Sequence, residues 1–359
     1  MKLDLFKKLD DVSEEKLHPK FKHLKDILIG GEKDILVDWT DGFIDRDNKI
    51  IKEFQTTFHS SFWEFYLFQI FKDLGFEIDF SRDRPDFIIK SPQNILIEAV
   101  VSNIKVEGRE EKSRTIDDIT SMLMPPHKQT DYYSILDESI VRNSNAIIGK
   151  SKKYLEKYTK CEWVSEDFPF VIALSSYDQV NYGREYIYPL MALLYGRYFN
   201  PQLDNFEKKD SIIKPGTESE IPVGLFNNDG HKHISAIIFS CTTTLGKLTS
   251  LDLSNGNMNQ TNAVLNIRND YEKPFYKIQS VSKDSPEELG DGLMIFHNPK
   301  SNAPIDPEIF KKSNAIQFIP TDNEMRIEGE NTPIFSRLNI PKFMVNNTLV
   351  NLIFKDFNE

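Results

Sequence analysis

The chain has 359 residues, of which 44 are Lys or Arg and 55 are Asp or Glu, so its formal net charge is −11 at pH 7. With 39% apolar and 12% aromatic residues it can bury a substantial core, which excludes a low-complexity or intrinsically disordered chain. Its two cysteines have no CxxC spacing, so a disulfide scaffold is excluded and a zinc site is unsupported.

Membrane insertion and secretion are not expected. Apolar runs such as 189–195 are far shorter than the roughly 18 residues that a membrane span needs. The first residues lack the continuous apolar stretch of a signal peptide, so we expect a cytoplasmic protein. Because neither half of the chain is basic, any contact with a nucleic acid must come from a local positive patch.

The first half of the chain shows clear secondary-structure patterns. Residues 1–50 have helix-like apolar spacing and a more strand-like stretch at 34–39. From Ser60 a wide apolar face predicts a buried helix that Gly75 ends. Turn-flanked segments then predict three strands, at 76–80, 86–90 and 94–101.

The pattern continues less regularly towards the C-terminus. Residues 104–130 are polar and contain two adjacent prolines, which predicts an insertion or a mobile loop. Further elements are predicted as a long helix at 134–158, a buried strand at 168–174, a helix at 184–198, and strands at 236–241 and 263–268. Much of the remainder is predicted to be Asn- and Pro-rich connection.

The order helix, three strands, helix, strand, helix predicts an α/β sandwich. We therefore expect a helical arm at 1–50, a core at 51–200 and a less regular, β-containing accessory region at 201–359. This last region either stands apart or extends the core sheet.

Two acidic residues stand out in the predicted strands. Asp86 opens one strand and Glu98 lies late in the next, where it interrupts an apolar run. A carboxylate in such a strand is costly unless something coordinates it. The short hairpin can bring both acids to the same end of the sheet, where their oxygens suit Mg²⁺ or Mn²⁺. The simpler interpretation is a strand-start Asp and an exposed Glu on an edge strand.

The segment SFWEFYLFQIFKDLGFEIDFSRDRPDFIIKSPQNILIEAV, within a match of roughly residues 60–175, resembles the core of the PD-(D/E)XK, or restriction-endonuclease-like, nuclease superfamily. The resemblance implies a mixed sheet flanked by helices. It also matches Glu64 to the acid of the first helix, Asp86 to the Asp of the meander and Glu98 to the Glu of Glu-x-Lys. The chain departs from the pattern at Val100, where the superfamily expects Lys.

Some superfamily members supply this cation from the following helix. Lys150 is the first candidate, because its position resembles that of Gln in a QxxxY helix with Tyr154 as the tyrosine. Lys153 is the second candidate, and a solvated face of the helix is the alternative for both. Two turns earlier, Arg142 and Asn143 are candidates to contact phosphate, and Tyr154 is a third candidate for substrate binding.

The mechanism that the resemblance implies is metal-assisted hydrolysis of a phosphodiester, probably of DNA, in restriction, phage defence or repair. Asp86 and Glu98 would hold Mg²⁺, with Mn²⁺ as a substitute, and Lys150 would orient water or stabilise charge on phosphorus. Glu64 would act as an outer orienter or help with a second ion. Partners would be a nucleic acid and either a second copy of the chain or another protein.

Other hypotheses remain open. The Val100 departure and the acidic net charge also suit a decayed nuclease scaffold that only binds or assembles, or a nuclease subunit that is active only in a complex. His231 and His233 share a face if they lie on a strand, but the sequence places no third ligand, so a turn before the strand at 236 is the expectation. No P-loop or GxGxxG motif occurs.

Overall fold

A computed structural model describes residues 2–104, 107–177, 179–270, 272–322 and 324–358. Over these residues the chain forms an α/β structure in which helices flank a large mixed sheet. The fold class expected from the sequence is confirmed at this level.

The helices and strands of the described residues follow one another along the whole chain. The α-helices are α1 (Pro19–Asp26), α2 (Glu32–Trp39), α3 (Ile50–Thr56), α4 (His59–Asp73), α5 (Ile116–Met122), α6 (Tyr132–Lys157), α7 (Tyr188–Tyr195), α8 (Leu245–Ser254) and α9 (Asn347–Asn358). The strands are β1 (Glu77–Ile78), β2 (Phe87–Ser91), β3 (Ile95–Val101), β4 (Phe170–Ser175), β5 (Arg197–Asn200), β6 (Asn205–Lys208), β7 (Ser211–Ile213), β8 (Glu220–Pro222), β9 (Ala236–Ser240), β10 (Asn262–Asn269), β11 (Tyr276–Ser280), β12 (Met294–His297), β13 (Ile316–Pro320), β14 (Met325–Glu328) and β15 (Ile334–Pro341).

Within the described residues the main sheet has eight strands, in the order β1-β2-β3-β4-β9-β12-β13-β14. Its centre, β3, β4 and β9, is parallel, and β1 and β2 add an antiparallel meander to one side. On the other side β12 is antiparallel to β9 and parallel to β13, and β14 is antiparallel to β13. The sheet therefore crosses the boundary expected at residue 200.

Smaller sheets surround the main one. An antiparallel sheet has the order β11-β10-β15, and α8 packs against β10 and β15. The pairs β5-β6 and β7-β8 form separate antiparallel hairpins.

Side-chain alternation along β3 assigns its residues to two different layers. Ile95 and Ile97 belong to the core shared with the aromatic helix α4, where the indole of Trp63 donates a hydrogen bond to the carbonyl of Ala173 at 3.0 Å. Leu96 faces the opposite core, which α6 and α7 cover. Glu98 follows Leu96 by two residues, so it faces α6.

The predicted helix from Ser60 and the three strands after it are confirmed as α4 and β1–β3, and Gly75 follows the helix with a positive φ of 73°. The strand-like interpretation of 34–39 is wrong, because these residues belong to α2. Leu36 and Trp39, one helical turn apart, form its buried face. The helix predicted over 184–198 is shorter, since Gly196 in the left-handed region ends it.

Residues 105 and 106 of the polar segment 104–130 lie outside the described residues, and the described part is more regular than expected, since it contains α5. Thr115 and Asp118 form a capping box at its start, a Thr-x-x-Asp signal that is visible in the sequence. Beyond 200, the connection predicted from Asn and Pro content includes α8, α9 and the strands β12–β15. Short strands of this kind depend on pairing with distant segments, so their local composition is a weak guide.

Candidate active site

Asp86 and Glu98 lie opposite one another at the start of the β2–β3 hairpin. Phe87 pairs with Ile97 in the antiparallel register, so the next position along places Asp86 across from Glu98. An Oδ of Asp86 also accepts a hydrogen bond from the backbone N–H of Ala99 at 2.7 Å. Directly opposed residues of an antiparallel pair project to the same face, so both acids lie on the side of α6.

The loop before Asp86 is held by an arginine that the sequence analysis missed. The guanidinium of Arg46 donates to the backbone carbonyls of Arg82, Pro85 and Asp86 at 2.6, 3.0 and 3.0 Å. Three bonds to one loop fix the direction from which Asp86 enters the site. No local pattern marks Arg46, because its partners lie about 40 positions away in the sequence.

Glu98 is fully buried, in contrast to the exposed edge-strand Glu that was the simpler expectation. Its carboxylate is held from α6 by the ammonium of Lys150 at 2.5 Å and that of Lys153 at 2.8 Å. The hydroxyl of Tyr158, just beyond α6, donates a third hydrogen bond. A buried charge is tolerated when it is paired and hydrogen-bonded in this way.

Lys150 contacts both acids, because its ammonium also lies 3.9 Å from an Oδ of Asp86. Val100 lies two residues after Glu98 on the same face of β3 and packs into the core on that side. The positive charge on this face therefore comes from α6 and not from position 100.

The charged groups of the site shift the pKa values of Asp86 and Glu98 in opposite directions. Burial and the charge of Glu98 raise the pKa of Asp86. Burial alone would raise the pKa of Glu98 too, but the charges and hydrogen bonds of Lys150 and Lys153 outweigh it and lower that pKa. Although burial opposes it, the two carboxylates raise the pKa of Lys150. Glu98 and Lys150 are accordingly both charged at neutral pH.

Glu64, on α4, is a third acid of the same region. Burial and the negative charge of Asp86 raise its pKa well above the usual range, while the charges of Arg46 and Lys150 act in the opposite sense. Glu64 is therefore near enough to Asp86 for the two negative charges to repel each other.

The three candidate substrate-binding residues are all buried. Arg142 is 5% exposed and forms an ion pair with Glu185, and it donates to Ser102 at 2.9 Å and Ser176 at 3.2 Å. Asn143 is fully buried, and its side-chain amide has no hydrogen-bond partner among the described residues. In this arrangement neither side chain is presented to a phosphate beside Glu98.

Tyr154 packs in the core, whereas Tyr158, which follows it on the same side of the helix, reaches Glu98. The ring of Tyr154 stacks on Phe170 with centroids 4.3 Å apart and on His233 at 5.7 Å. Tyr158, one turn later, contacts Glu98 instead. The spacing Lys150, Tyr154, Tyr158 contained this signal, but the apolar pattern of the helix assigned Tyr158 to the core.

The two histidines do not form a ligand pair on a strand. His231 ends a short 3₁₀ turn, as the expected turn before β9 implies, and a ring nitrogen of His233 lies 2.7 Å from the hydroxyl of Ser151. Among the described residues, no group of three or more His, Cys, Asp or Glu side chains is arranged to hold a metal ion.

Comparison with known proteins finds no family model, no curated protein and no solved structure that matches this chain. In the part of the chain that the structure describes, no helix is both long and apolar enough to cross a membrane.

Proposed function

We propose that the protein is a metal-dependent nuclease with a restriction-endonuclease-like core that hydrolyses phosphodiester bonds, with DNA as its substrate. The observation that carries the proposal is the contact of one partly buried ammonium, Lys150, with two opposed carboxylates, Asp86 and Glu98. Two acids on one face of a hairpin and a cation that reaches them from α6 form a set of groups suited to phosphodiester hydrolysis.

The order of elements supports the proposed core. Helix α4 bears Glu64, the meander β1–β3 bears Asp86 and Glu98, and α6 and β4 follow in the order of the superfamily pattern. The cation from α6 takes the place of the lysine missing at Val100, which is the replacement expected from the resemblance.

The acids suit a divalent cation of the Mg²⁺ type. Mg²⁺ binds to proteins through one or two carboxylates and keeps several waters, and Asp86 and Glu98 offer that number of carboxylates. Burial raises the pKa of Asp86 and that of Glu64, and a neighbouring carboxylate raises each further, so a bound cation would favour the charged form of both acids. When bound, Mg²⁺ supplies Lewis-acid polarisation of a phosphoryl oxygen.

The chain's own residues have separate roles in the proposal. Lys150, with its ammonium between the acids, stabilises negative charge that develops on the phosphoryl group. Tyr158 and Lys153 fix the orientation of the Glu98 carboxylate. Glu64 is an outer residue on α4, where burial and the charge of Asp86 raise its pKa.

The decisive experiment compares Asp86→Asn and Glu98→Gln with the wild-type chain in Mg²⁺ or Mn²⁺, on single-stranded and duplex DNA. Each change keeps the shape of the side chain but removes its charge, so cleavage should fall by at least about 100-fold while thermal unfolding remains cooperative. Asp83→Asn is the matched control, because Asp83 lies in the same loop with its side chain 76% exposed. Cleavage within about twofold of wild type in a folded Asp86→Asn or Glu98→Gln variant contradicts the proposal.

One observation favours a second candidate, a non-catalytic binding or assembly protein on a decayed nuclease scaffold. Both oxygens of Glu98 are already engaged by Lys150, Lys153 and Tyr158, so a metal ion must compete with them. Calorimetric titration with Mn²⁺ separates the candidates. The nuclease should bind Mn²⁺ and lose that binding in Asp86→Asn, whereas the decayed scaffold should bind none. Metal binding without cleavage, together with a co-purifying protein, would indicate a subunit that is active only in a complex.

A further inference from the structure

A pocket of about 480 Å³ adjoins the proposed active site along the groove between β3 and α6. Its walls come from the end of β3 and the residues after it, from the middle of α6, and from Lys214 and Pro215 at the tip of the β7–β8 hairpin. Three separate parts of the chain thus enclose one concave site of the size that small organic groups occupy.

Two residues that line the pocket, Val100 and Ala146, lie close along the chain to residues of the proposed active site. Val100, which lines it, lies two residues after Glu98 on the same face of β3. Ala146, on the opposite wall, precedes Lys150 by one helical turn and therefore lies on the same stripe of α6. A chain that placed its phosphate between Asp86 and Lys150 would place the adjoining unit at this pocket.

The lining combines apolar side chains with exposed amides. Val100, Val141 and Ala146 provide the apolar surface, and the side chains of Asn103 and Asn145 lie at the rim. No hydrogen bond joins either amide to another of the described residues. Lys214 adds an exposed positive charge at the mouth, and Glu138 adds a carboxylate.

These features match one chemical group. A nucleobase has apolar faces and an edge with donors and acceptors, to which an Asn amide can form two hydrogen bonds at once. The phosphates of the strand on either side of the base attract a lysine. Enzymes that hold a single base commonly place it between apolar side chains and bind its edge through hydrogen bonds.

We propose that this pocket, the base pocket, takes the nucleobase next to the phosphodiester that is cut. A paired base inside a duplex cannot enter such a pocket without leaving the stack. The substrate is therefore a strand that is unpaired at the cutting position. It is a single strand, an overhang, or a duplex in which the base at this position has left the stack. This inference rests on the proposed nuclease function and names its substrate class.

Binding without catalysis tests the base pocket separately. Single-stranded DNA with 2-aminopurine at successive positions is titrated with the full chain in the absence of divalent metal. The fluorescence of 2-aminopurine rises when it leaves the stack of its neighbours, so we expect a rise at one position. Ala146→Phe, which fills the pocket, should abolish that rise. Lys152→Ala is the control and should retain the rise, because the Lys152 side chain is 72% exposed on α6.

A second variant covers the case in which Ala146→Phe does not fold. Asn145→Ala, at an exposed position, should reduce the affinity for the strand about tenfold, and should have no effect on a strand with an abasic residue at the responsive position. No fluorescence rise at any position, or an equal rise in wild type and Ala146→Phe, overturns the base pocket.

Cleavage in Mg²⁺ then separates the two proposals. Wild type should cut the single strand at least about tenfold faster than the matching duplex. Equal rates on the two substrates overturn the base pocket but leave the nuclease proposal standing. A fluorescence rise without cleavage of any strand would contradict the nuclease proposal and support the base pocket as a binding site.

Discussion

Two fully buried glutamates, Glu98 and Glu287, each bind two cationic side chains, yet their surroundings differ. Glu287 pairs with Lys247 and Arg337, whose side chains are 0% and 5% exposed. Glu98 pairs with Lys150 and Lys153, whose side chains are 21% and 33% exposed. We call the first group, with Lys247, Glu287 and Arg337, the closed cluster, and the second, with Asp86, Glu98, Lys150, Lys153 and Tyr158, the open cluster.

In the closed cluster the donors are used within the protein. The ammonium of Lys247 donates to Glu287 at 2.6 Å and to the carbonyls of Glu288 and Asp291 at 2.6 and 2.9 Å, which accounts for its three protons. The second oxygen of Glu287 accepts from Ser250 and, at 2.8 Å, from Asn266. Such a network ties α8 to β10 and β15 and engages all three protons of Lys247 within the protein.

The open cluster keeps part of its donors at the surface. Lys150 and Lys153 bind Glu98 but remain partly exposed, so a ligand in solution can reach them. A buried Lys–Glu pair is thus a candidate site when solvent has access to it, and the pair itself is not sufficient.

The largest effect on stability is expected in the closed cluster. Lys247→Met leaves Glu287 buried with one cation fewer, so the free energy of unfolding should fall by about 3–5 kcal/mol. Lys153→Met is the matched change in the open cluster and should cost less than about 1 kcal/mol, because the ammonium is partly solvated and Lys150 remains. Urea denaturation at pH 7 measures both, and equal losses would remove the distinction between the clusters.

A smaller effect, on catalysis, distinguishes the two lysines of the open cluster. Lys150→Met should lower the rate of cleavage about 100-fold at saturating Mg²⁺, because its ammonium lies within ion-pair distance of both acids. Lys153→Met should lower it less than about tenfold, since among the described residues its ion pair is with Glu98 and not with Asp86. Single-turnover rates measure the chemical step, and a reversed order of the two variants would transfer the catalytic role to Lys153.

The smallest effect is a difference in acid sensitivity between the two regions. Burial lowers the pKa of His233, which packs against α6 beside the open cluster, to about 4, from an ordinary value of 6.5. Between pH 6.5 and 4 the unfolded chain takes up a proton at His233 that the folded chain does not, so stability decreases over this window as the pH falls. The charges of Lys247 and Arg337 hold the pKa of Glu287 at about 2, although burial opposes them, so the closed cluster keeps its charge to lower pH.

His233→Gln tests this difference, since Gln keeps a polar group near Ser151 but does not take up a proton. Wild type should lose about 1 kcal/mol more stability than the variant between pH 6.5 and 4, after solvent screening of the half-exposed imidazole is included. Thermal unfolding across this range measures the two slopes. Parallel slopes would show that His233 does not titrate differently in the folded and unfolded chain.

The parts of the fold that were predictable from sequence are local ones. A turn between two apolar runs predicted the β2–β3 hairpin, and with it the opposed positions of Asp86 and Glu98. Helical spacing placed Lys150 at the edge of the apolar face of α6, from which it reaches Glu98.

The parts that were not predictable depend on distant partners. Arg46 binds a loop about 40 residues away, and the closed cluster joins residues from three separate segments. Arg142 was a candidate for contact with phosphate because it is a cation near the site. Its burial against Glu185, 43 residues later, is a tertiary contact that no local pattern shows. Tyr158 was counted as apolar, because helical periodicity shows that a tyrosine ring is buried but not whether its hydroxyl has a hydrogen-bond partner.

The position of β9 in the main sheet limits how the chain can be divided. β9 hydrogen-bonds along β4, although the two strands are separated by some 60 residues of sequence and lie on either side of residue 200. A fragment that stops at residue 200 would expose the unpaired N–H and C=O groups of β4, whose side chains are buried throughout the strand. An unprotected edge of this kind pairs with other chains, so such a fragment should aggregate and not fold as an independent unit.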